Sequence, residues 1–144
     1  MRTAGRGNLT HMTRMTRAEI EAFYRRYNAR CNAHEFPSLV EFVAPDVVVN
    51  AESVGHAGYV AGLEAVGHAF PDFRWEIQHL LIDGPIIAAH FATTGTHRGP
   101  FLGIPATGRS VDAYEFAFYR IAHGKIAEVW GTADNLRLLD QMRD

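Results

Sequence analysis

The chemistry open to this chain turns first on one carboxylate. Glu115 stands in the run Val111-Asp112-Ala113-Tyr114-Glu115-Phe116-Ala117-Phe118-Tyr119, whose β-branched and aromatic alternation predicts a strand over 111–121. The two-residue period puts Ala113, Glu115, Ala117 and Tyr119 on one face and Tyr114, Phe116 and Phe118 on the other. The alanines beside Glu115 leave room for a ligand. A carboxyl among apolar neighbours has its charged form disfavoured, and its pKa rises toward the range where a carboxylate serves as a general base. The opposite register, with Glu115 on a solvated or dimer-facing side, stays open at this level.

Other groups come second. His97 follows a strand and precedes a Gly/Pro-rich loop. It can donate to a substrate oxygen or act as an acid, but a ring that bonds loop backbone and fixes the turn is the preferred reading. Asp134 opens the last helix, where an N-cap role competes with an acid role. Tyr27 and Asn28 end the apolar stripe of the first helix, and core packing with the phenol satisfied by backbone is the simpler reading. His79 falls on the apolar face of an alternating run and reads as a core histidine. Arg109 and Asp112 are expected to pair in the loop. The eight histidines are scattered, none forms a helical His-x-x-x-His pair, and Cys31 is the single cysteine. Neither a metal nor a cofactor is therefore expected.

The elements that must position these groups follow from period and punctuation. Residues 1–14 read as a flexible tail and 15–144 as a single domain. Thr16-Arg17-Ala18-Glu19 is a capping box, and Ile20, Phe23, Tyr24, Tyr27 and Cys31 continue at helical spacing, so a helix is predicted over 16–32. A short helix follows near 37–43 and ends at Pro45, with a strand at Val47–Val49. Gly55 and Gly58 bound a loop before a third helix over 59–70. From there the period becomes two. Strands are predicted at 73–82, with Phe73, Trp75, Ile77, His79 and Leu81 on one face, and at 86–97, 111–121 and 126–132. His123-Gly124 makes a tight hairpin between the last two strands. Helices first and hairpin-linked strands after make an α+β class, helices packed on one face of a curved antiparallel sheet.

Bulk properties remove whole classes of function. The chain has 144 residues, 47% hydrophobic and 21% charged, with a formal net charge of -2. No basic stripe is present for nucleic acid, no apolar run is long enough for a bilayer, and the polar start is no secretory signal. With one cysteine, a reducing cytoplasm is the expected compartment. Tyr114, Phe116 and Phe118, joined by Ile126 and Trp130, make an aromatic sheet face too large to leave wet, so a homodimer is expected.

Four stretches carry a resemblance. Gly95-Thr96-His97-Arg98-Gly99-Pro100-Phe101-Leu102-Gly103-Ile104-Pro105-Ala106-Thr107-Gly108-Arg109 is similar to a glycine- and proline-rich segment of the SnoaL-like polyketide cyclases. Tyr119-Arg120-Ile121, Gly124-Lys125-Ile126 and Glu128-x-Trp130 resemble that family's hairpin. Asp134 with Leu139-x-Gln141 resembles its last helix, and Phe70-Pro71-Asp72 with Trp75 its middle, so the likeness covers residues 16–142. It implies the cone-shaped α+β barrel shared with ketosteroid isomerase and nuclear transport factor two. It also implies that the Glu115 face lines a pocket for an apolar small molecule. Tyr27 matches a pocket aromatic. Gly131 stands where the cyclases carry their key Asp, and Val49, Ala117 and Val129 where they carry other polar groups. By that likeness Tyr27, Val49, Ala117, Tyr119, Val129 and Gly131 are substrate-binding positions.

Fold alone does not assign function. The first expectation is a cyclase-like or isomerase-like enzyme working by acid/base chemistry on an apolar carbonyl compound, with Glu115, His97 and Asp134 as candidate catalytic groups. The alternatives are a hydroxylase-type or hydrolase relative and a dimeric ligand-binding module without catalysis.

Overall fold

The computed structural model describes residues 14–143; all but the last residue of the expected tail over 1–14 lie outside them. Helix α1 (Arg17–Asn32) begins as its capping box dictates: the Glu19 N–H donates to Thr16 Oγ1 (3.2 Å) and the Thr16 N–H to the Glu19 carboxylate (3.1 Å). Its stripe of Ile20, Phe23, Tyr24, Tyr27 and Cys31 is buried. A 3-10 helix (Phe36–Glu41) stands where a short α-helix was predicted.

Six strands follow: β1 (Val43–Val49), β2 (Glu52–Ser53), β3 (Arg74–Asp83), β4 (Ile86–Thr96), β5 (Ser110–Ala122) and β6 (Lys125–Ala133). They form one sheet in the order β2-β1-β6-β5-β4-β3. All neighbours are antiparallel except β1 and β6, which are parallel. Helix α2 (Gly55–Ala69) and a final helix α3 (Asn135–Arg143) complete the fold. The core fills the space between the concave face of the sheet and α1 with the 3-10 helix. The arrangement is the expected α+β cone, but its sheet is mixed where an antiparallel one was expected, because β1 joins β6 in parallel.

Local readings depart from expectation in five further places. Pro45, expected to end a helix, lies within β1, at the stretch between Val43 and Val48 where the β1–β6 register is broken and a missing N–H costs no ladder bond. Helix α2 begins at Gly55, whose positive φ of 66° turns the chain from β2, not at residue 59. The third correction concerns β3. Its register against β4 slips between Ile77 and His79, and such a bulge turns every later side chain to the other face. Trp75 and Ile77 point inward, whereas His79 and Leu81 point out and Leu80 and Ile82 pack against the core. His79 is thus no core histidine: its Nδ1 bonds Nδ1 of His90 on the outer face at 3.0 Å. Fourth, Ile126 is fully buried and does not belong to the outer aromatic face. Fifth, Asp112 pairs with Arg137 (2.9 Å), while the Arg109 guanidinium donates to the Gln141 carbonyl.

The hairpin between β5 and β6 forms as read. His123 and Gly124 both take positive φ (52° and 72°), the requirement of a type I′ turn, which matches the twist of the flanking strands. No helix among the described residues is long and apolar enough to cross a membrane.

Candidate active site

A void is built into the concave face by a row of small residues. The register aligns Ala117 on β5 with Gly131 on β6, so two neighbouring strands contribute almost no side chain at one level of the cavity wall. Helix α2 crosses this region presenting Gly58, Tyr59, Gly62 and Leu63, and α1 presents Tyr24, Tyr27, Asn28 and Cys31. The resulting cavity has a volume of about 340 Å³. Glu115 lines it, as do all six expected substrate-binding positions: Tyr27, Val49, Ala117, Tyr119, Val129 and Gly131.

Glu115 sits mid-way along β5, opposite Phe91 of β4 and Ala133 of β6. Its Oε2 accepts the indole N–H of Trp75 at 3.2 Å. Burial pushes the carboxyl up to about 7, against the opposing effect of the Trp75 hydrogen bond, which favours the charged form. Trp75 is itself held. It lies on the edge strand β3, whose backbone groups on the open side need partners. Asn32 supplies them, its Oδ1 accepting the Trp75 N–H (2.8 Å) and its Nδ2 donating to the Trp75 carbonyl (3.0 Å); Asn28 adds a second donor at 3.3 Å. Helix α1 thereby fixes the indole that fixes the carboxylate. Trp75→Phe keeps the aromatic body and removes the donor. The Glu115 midpoint is expected to move above about 7, readable by carbon-13 NMR of the labelled carboxyl; a fall or no change would show that the bond does not act on the charged form.

Four phenols also line the cavity, beside Asn28, Asn50 and Thr132. The hydroxyls of Tyr27 and Tyr59 are hydrogen-bonded to each other. Tyr24 packs on Tyr119 with ring centroids 5.0 Å apart, its hydroxyl buried without a well-aligned partner. Burial holds all four hydroxyls above the ordinary phenol range, so they remain protonated and can donate. The Cys31 thiol, pushed up to about 12 mainly by burial, is no nucleophile at neutral pH.

The structure brings neither His97 nor Asp134 into this cavity. The His97 side chain is completely buried, its Nδ1 bonded to Thr107 Oγ1 at 2.9 Å and its ring against Phe70. Its backbone is pinned at the root of the loop by Arg109 and Gly108. The bond partner is a loop side chain, not loop backbone. Asp134 caps α3, its Oδ1 accepting the Arg137 N–H at 3.1 Å. Among the described residues no three His, Cys, Asp or Glu side chains cluster as metal ligands.

Sequence reasoning missed Trp75, Tyr59 and Tyr24 as members of the site. One signal was present for Trp75, since an indole N–H on an inward face needs a buried acceptor, and Glu115 is the carboxylate on the facing alternation.

Comparison with known proteins places this geometry. Residues 21–142 match the model of the SnoaL-like polyketide cyclase family. A SnoaL-like polyketide cyclase from Agrobacterium tumefaciens has a similar structure: 30% identity, 83% of this chain and 94% of that one covered, TM-score 0.75. AclR from Streptomyces galilaeus, a proposed hydroxylase, shares 26% identity over 88% of this chain and 97% of its own, with a TM-score of 0.80. TsrD from Streptomyces laurentii, at 24% identity, covers 90% of this chain and 98% of its own with a TM-score of 0.82, a likeness of fold. No curated protein matches. With most of its length matched to the family and an apolar cavity where the fold places one, the chain belongs to the SnoaL-like polyketide cyclase family.

Proposed function

We propose that the protein is an enzyme in which Glu115 takes a proton from the carbon beside a carbonyl of an apolar, polyketide-like compound held in the cavity. The observation that carries this reading is the single carboxyl of the cavity, buried, held by Trp75 and poised near pH 7. A general base works best when its pKa lies near the operating pH. Removing the proton leaves its electron pair on the substrate, spread onto the carbonyl oxygen as an enolate. In the Tyr27–Tyr59 pair one hydroxyl donates to the other, and the second keeps a free proton to offer that oxygen. The enolate carbon then either attacks a second carbonyl of the same molecule, closing a ring and leaving an alkoxide that takes the proton from the Glu115 carboxylic acid, or, where a neighbouring double bond extends the enolate, the proton returns from Glu115 to the far carbon of that dienolate. In both cases Glu115 ends as it began once that proton is returned.

A small cyclic 1,3-diketone incubated with the protein in heavy water tests the proposal. Deuterium should enter the carbon between the carbonyls faster than in buffer, at a rate rising with pH through about 7. Tight binding without exchange would favour a silent binding module. Turnover that needs oxygen and a reductant would favour the hydroxylase-type reading that the likeness to AclR suggests.

We infer also that the working form is a homodimer joined through the outer face of the sheet. Tyr114, Phe116, Phe118 and Trp130 stand there 45–56% exposed. Light scattering at micromolar concentration should give twice the chain mass, and a monomer there would overturn this reading.

A further inference from the structure

The outer face and the cavity are not separate features. A groove of about 610 Å³ runs over the outer face past Leu81, Ala88, Phe118 and Trp130. It shares Asn50, Phe116, Ala117, Gly131 and Thr132 with the lining of the cavity. The reason lies in how β1 and β6 end. Strand β1 stops at Val49, its ladder with β6 reaches only Val129, and past that level the Asn50 side chain alone continues it, accepting the Gly131 N–H at 2.9 Å. The sheet is therefore open at Gly131–Thr132. Both residues are exposed, although Gly131 belongs to the inner face. Nothing blocks the gap: a Cβ at Gly131 would meet only the Phe116 carbonyl oxygen, at 3.8 Å. The two voids meet around this edge.

We propose that a second copy of this chain, docked on the outer face, walls off the mouth of the cavity, so that the water-poor site is complete only in the dimer. The inference rests on the homodimer reading above. Three observations favour a second copy as the occupant. The first is size. Leu81, Tyr114, Phe116, Phe118 and Trp130 are each about half exposed or more and leave on the order of 500 Å² of apolar surface bare. That is at the top of what a monomer usually carries. With the flanking groups it approaches the roughly 800 Å² per partner of a stable interface. The second is charge. Arg74, Glu76 and Asp112 stand at one end of the face and Asp83, Arg120 and Glu128 at the other, with Asp112 and Arg120 already paired to Arg137 and Glu128. A mixed frame suits a two-fold copy, whereas nucleic acid or an anionic bilayer needs a basic one. The third is the centre of the face, where the imidazoles of His79 and His90 hydrogen-bond each other and His90 lies on the Phe116 ring, which leaves less polarity to desolvate.

Trp75 reports on the closure. The chain has two tryptophans, so Trp130→Phe leaves Trp75, in the cavity wall, as the only one, read by excitation at a wavelength that tyrosine does not absorb, and keeps an aromatic ring on the outer face. Phe118→Arg added to it places a charge on the outer face at a residue that does not line the cavity. Mass by light scattering and acrylamide quenching of Trp75 are read on the same samples. We expect the single variant to be a dimer. The double variant should be a folded monomer whose quenching constant is roughly threefold higher or more, because the open mouth admits the quencher. A wild-type chain that is monomeric would overturn the dimer reading and this inference together. A double variant that is monomeric with unchanged quenching, or that stays dimeric, would overturn the inference alone. If its thermal melt shows that the double variant does not fold, Tyr114→Arg in the Trp130→Phe background is read by the same outcomes.

Discussion

Glu115→Gln is expected to lower turnover by about 100-fold or more, the usual scale for a lost general base, while the fold keeps or gains stability. Gln keeps the shape of the side chain and can still accept the Trp75 N–H through its amide oxygen, but it cannot take a proton. Most buried carboxylates are retained because they pair with a cation, and their removal destabilises. Glu115 has no such partner: its hydrogen bond runs to a neutral indole, and the salt bridges of the described residues involve other groups. Its ionised form is therefore a cost to folding, the pattern of a group kept for function.

The direction of that cost fixes a pH dependence. Burial pushes the folded carboxyl up to about 7 from its ordinary value of 4.5. Between those values the folded state holds more protons than the unfolded state, so stability falls as pH rises. The loss begins above about 4.5, grows to about 3 kcal/mol and levels off beyond about 7. Chemical denaturation of the wild type and Glu115→Gln across pH 4 to 8.5 reads it out. The two curves should run close together near pH 4.5 and diverge in favour of the variant by pH 8. Activity runs the opposite way, rising with pH through about 7 as the base ionises. A variant that loses stability at every pH and keeps its turnover would make Glu115 a structural group and transfer the proton-abstracting role elsewhere.

How far the sequence carried depended on the regularity of each element. Strand β5 pairs with β4 without a slip from Ser110 to Arg120, so counting by twos from Tyr119 reaches Glu115 on the correct face. Strand β3 has the same alternating appearance but bulges at Gln78, and the bulge is a property of its pairing with β4, invisible in either strand alone. That is why Trp75 and Ile77 were assigned correctly and His79 and Leu81 were not. The caps at Thr16 and Asp134 were legible because a cap is a local exchange of hydrogen bonds within three residues. The start of α2 was not, since Gly55 and Gly58 read as breakers, whereas here glycine supplies one left-handed turn and then the empty wall of the cavity. The cavity itself could not be read from any one segment. It depends on Ala117 and Gly131, separated along the chain, falling side by side in one row, and only the register of β5 against β6 puts them there.

That row leads to the second large effect. Ala117→Leu should weaken ligand binding by about 100-fold or more, which corresponds to about 2.7 kcal/mol, and should leave the melting temperature equal or higher. In a close-packed interior an added isobutyl group forces its neighbours out of place and destabilises. At Ala117 the added atoms enter a void of about 340 Å³, where they gain contacts that the alanine lacks, and filling such space commonly adds about 0.5–2 kcal/mol. Stability and binding therefore move in opposite directions, which neither a packing defect nor a misfolded variant reproduces. Glu115 and Trp75 are untouched by the change. A thermal melt and a calorimetric titration with the diketone probe make the measurement. Lower stability would mean that the walls collapse on the void in solution. Unchanged affinity would mean that the ligand sits elsewhere, and the assignment of the inner cavity as the functional site would fall. The substitution is stringent because the residue it enlarges carries no chemistry: a protein that kept this space only by accident would lose nothing when it was filled.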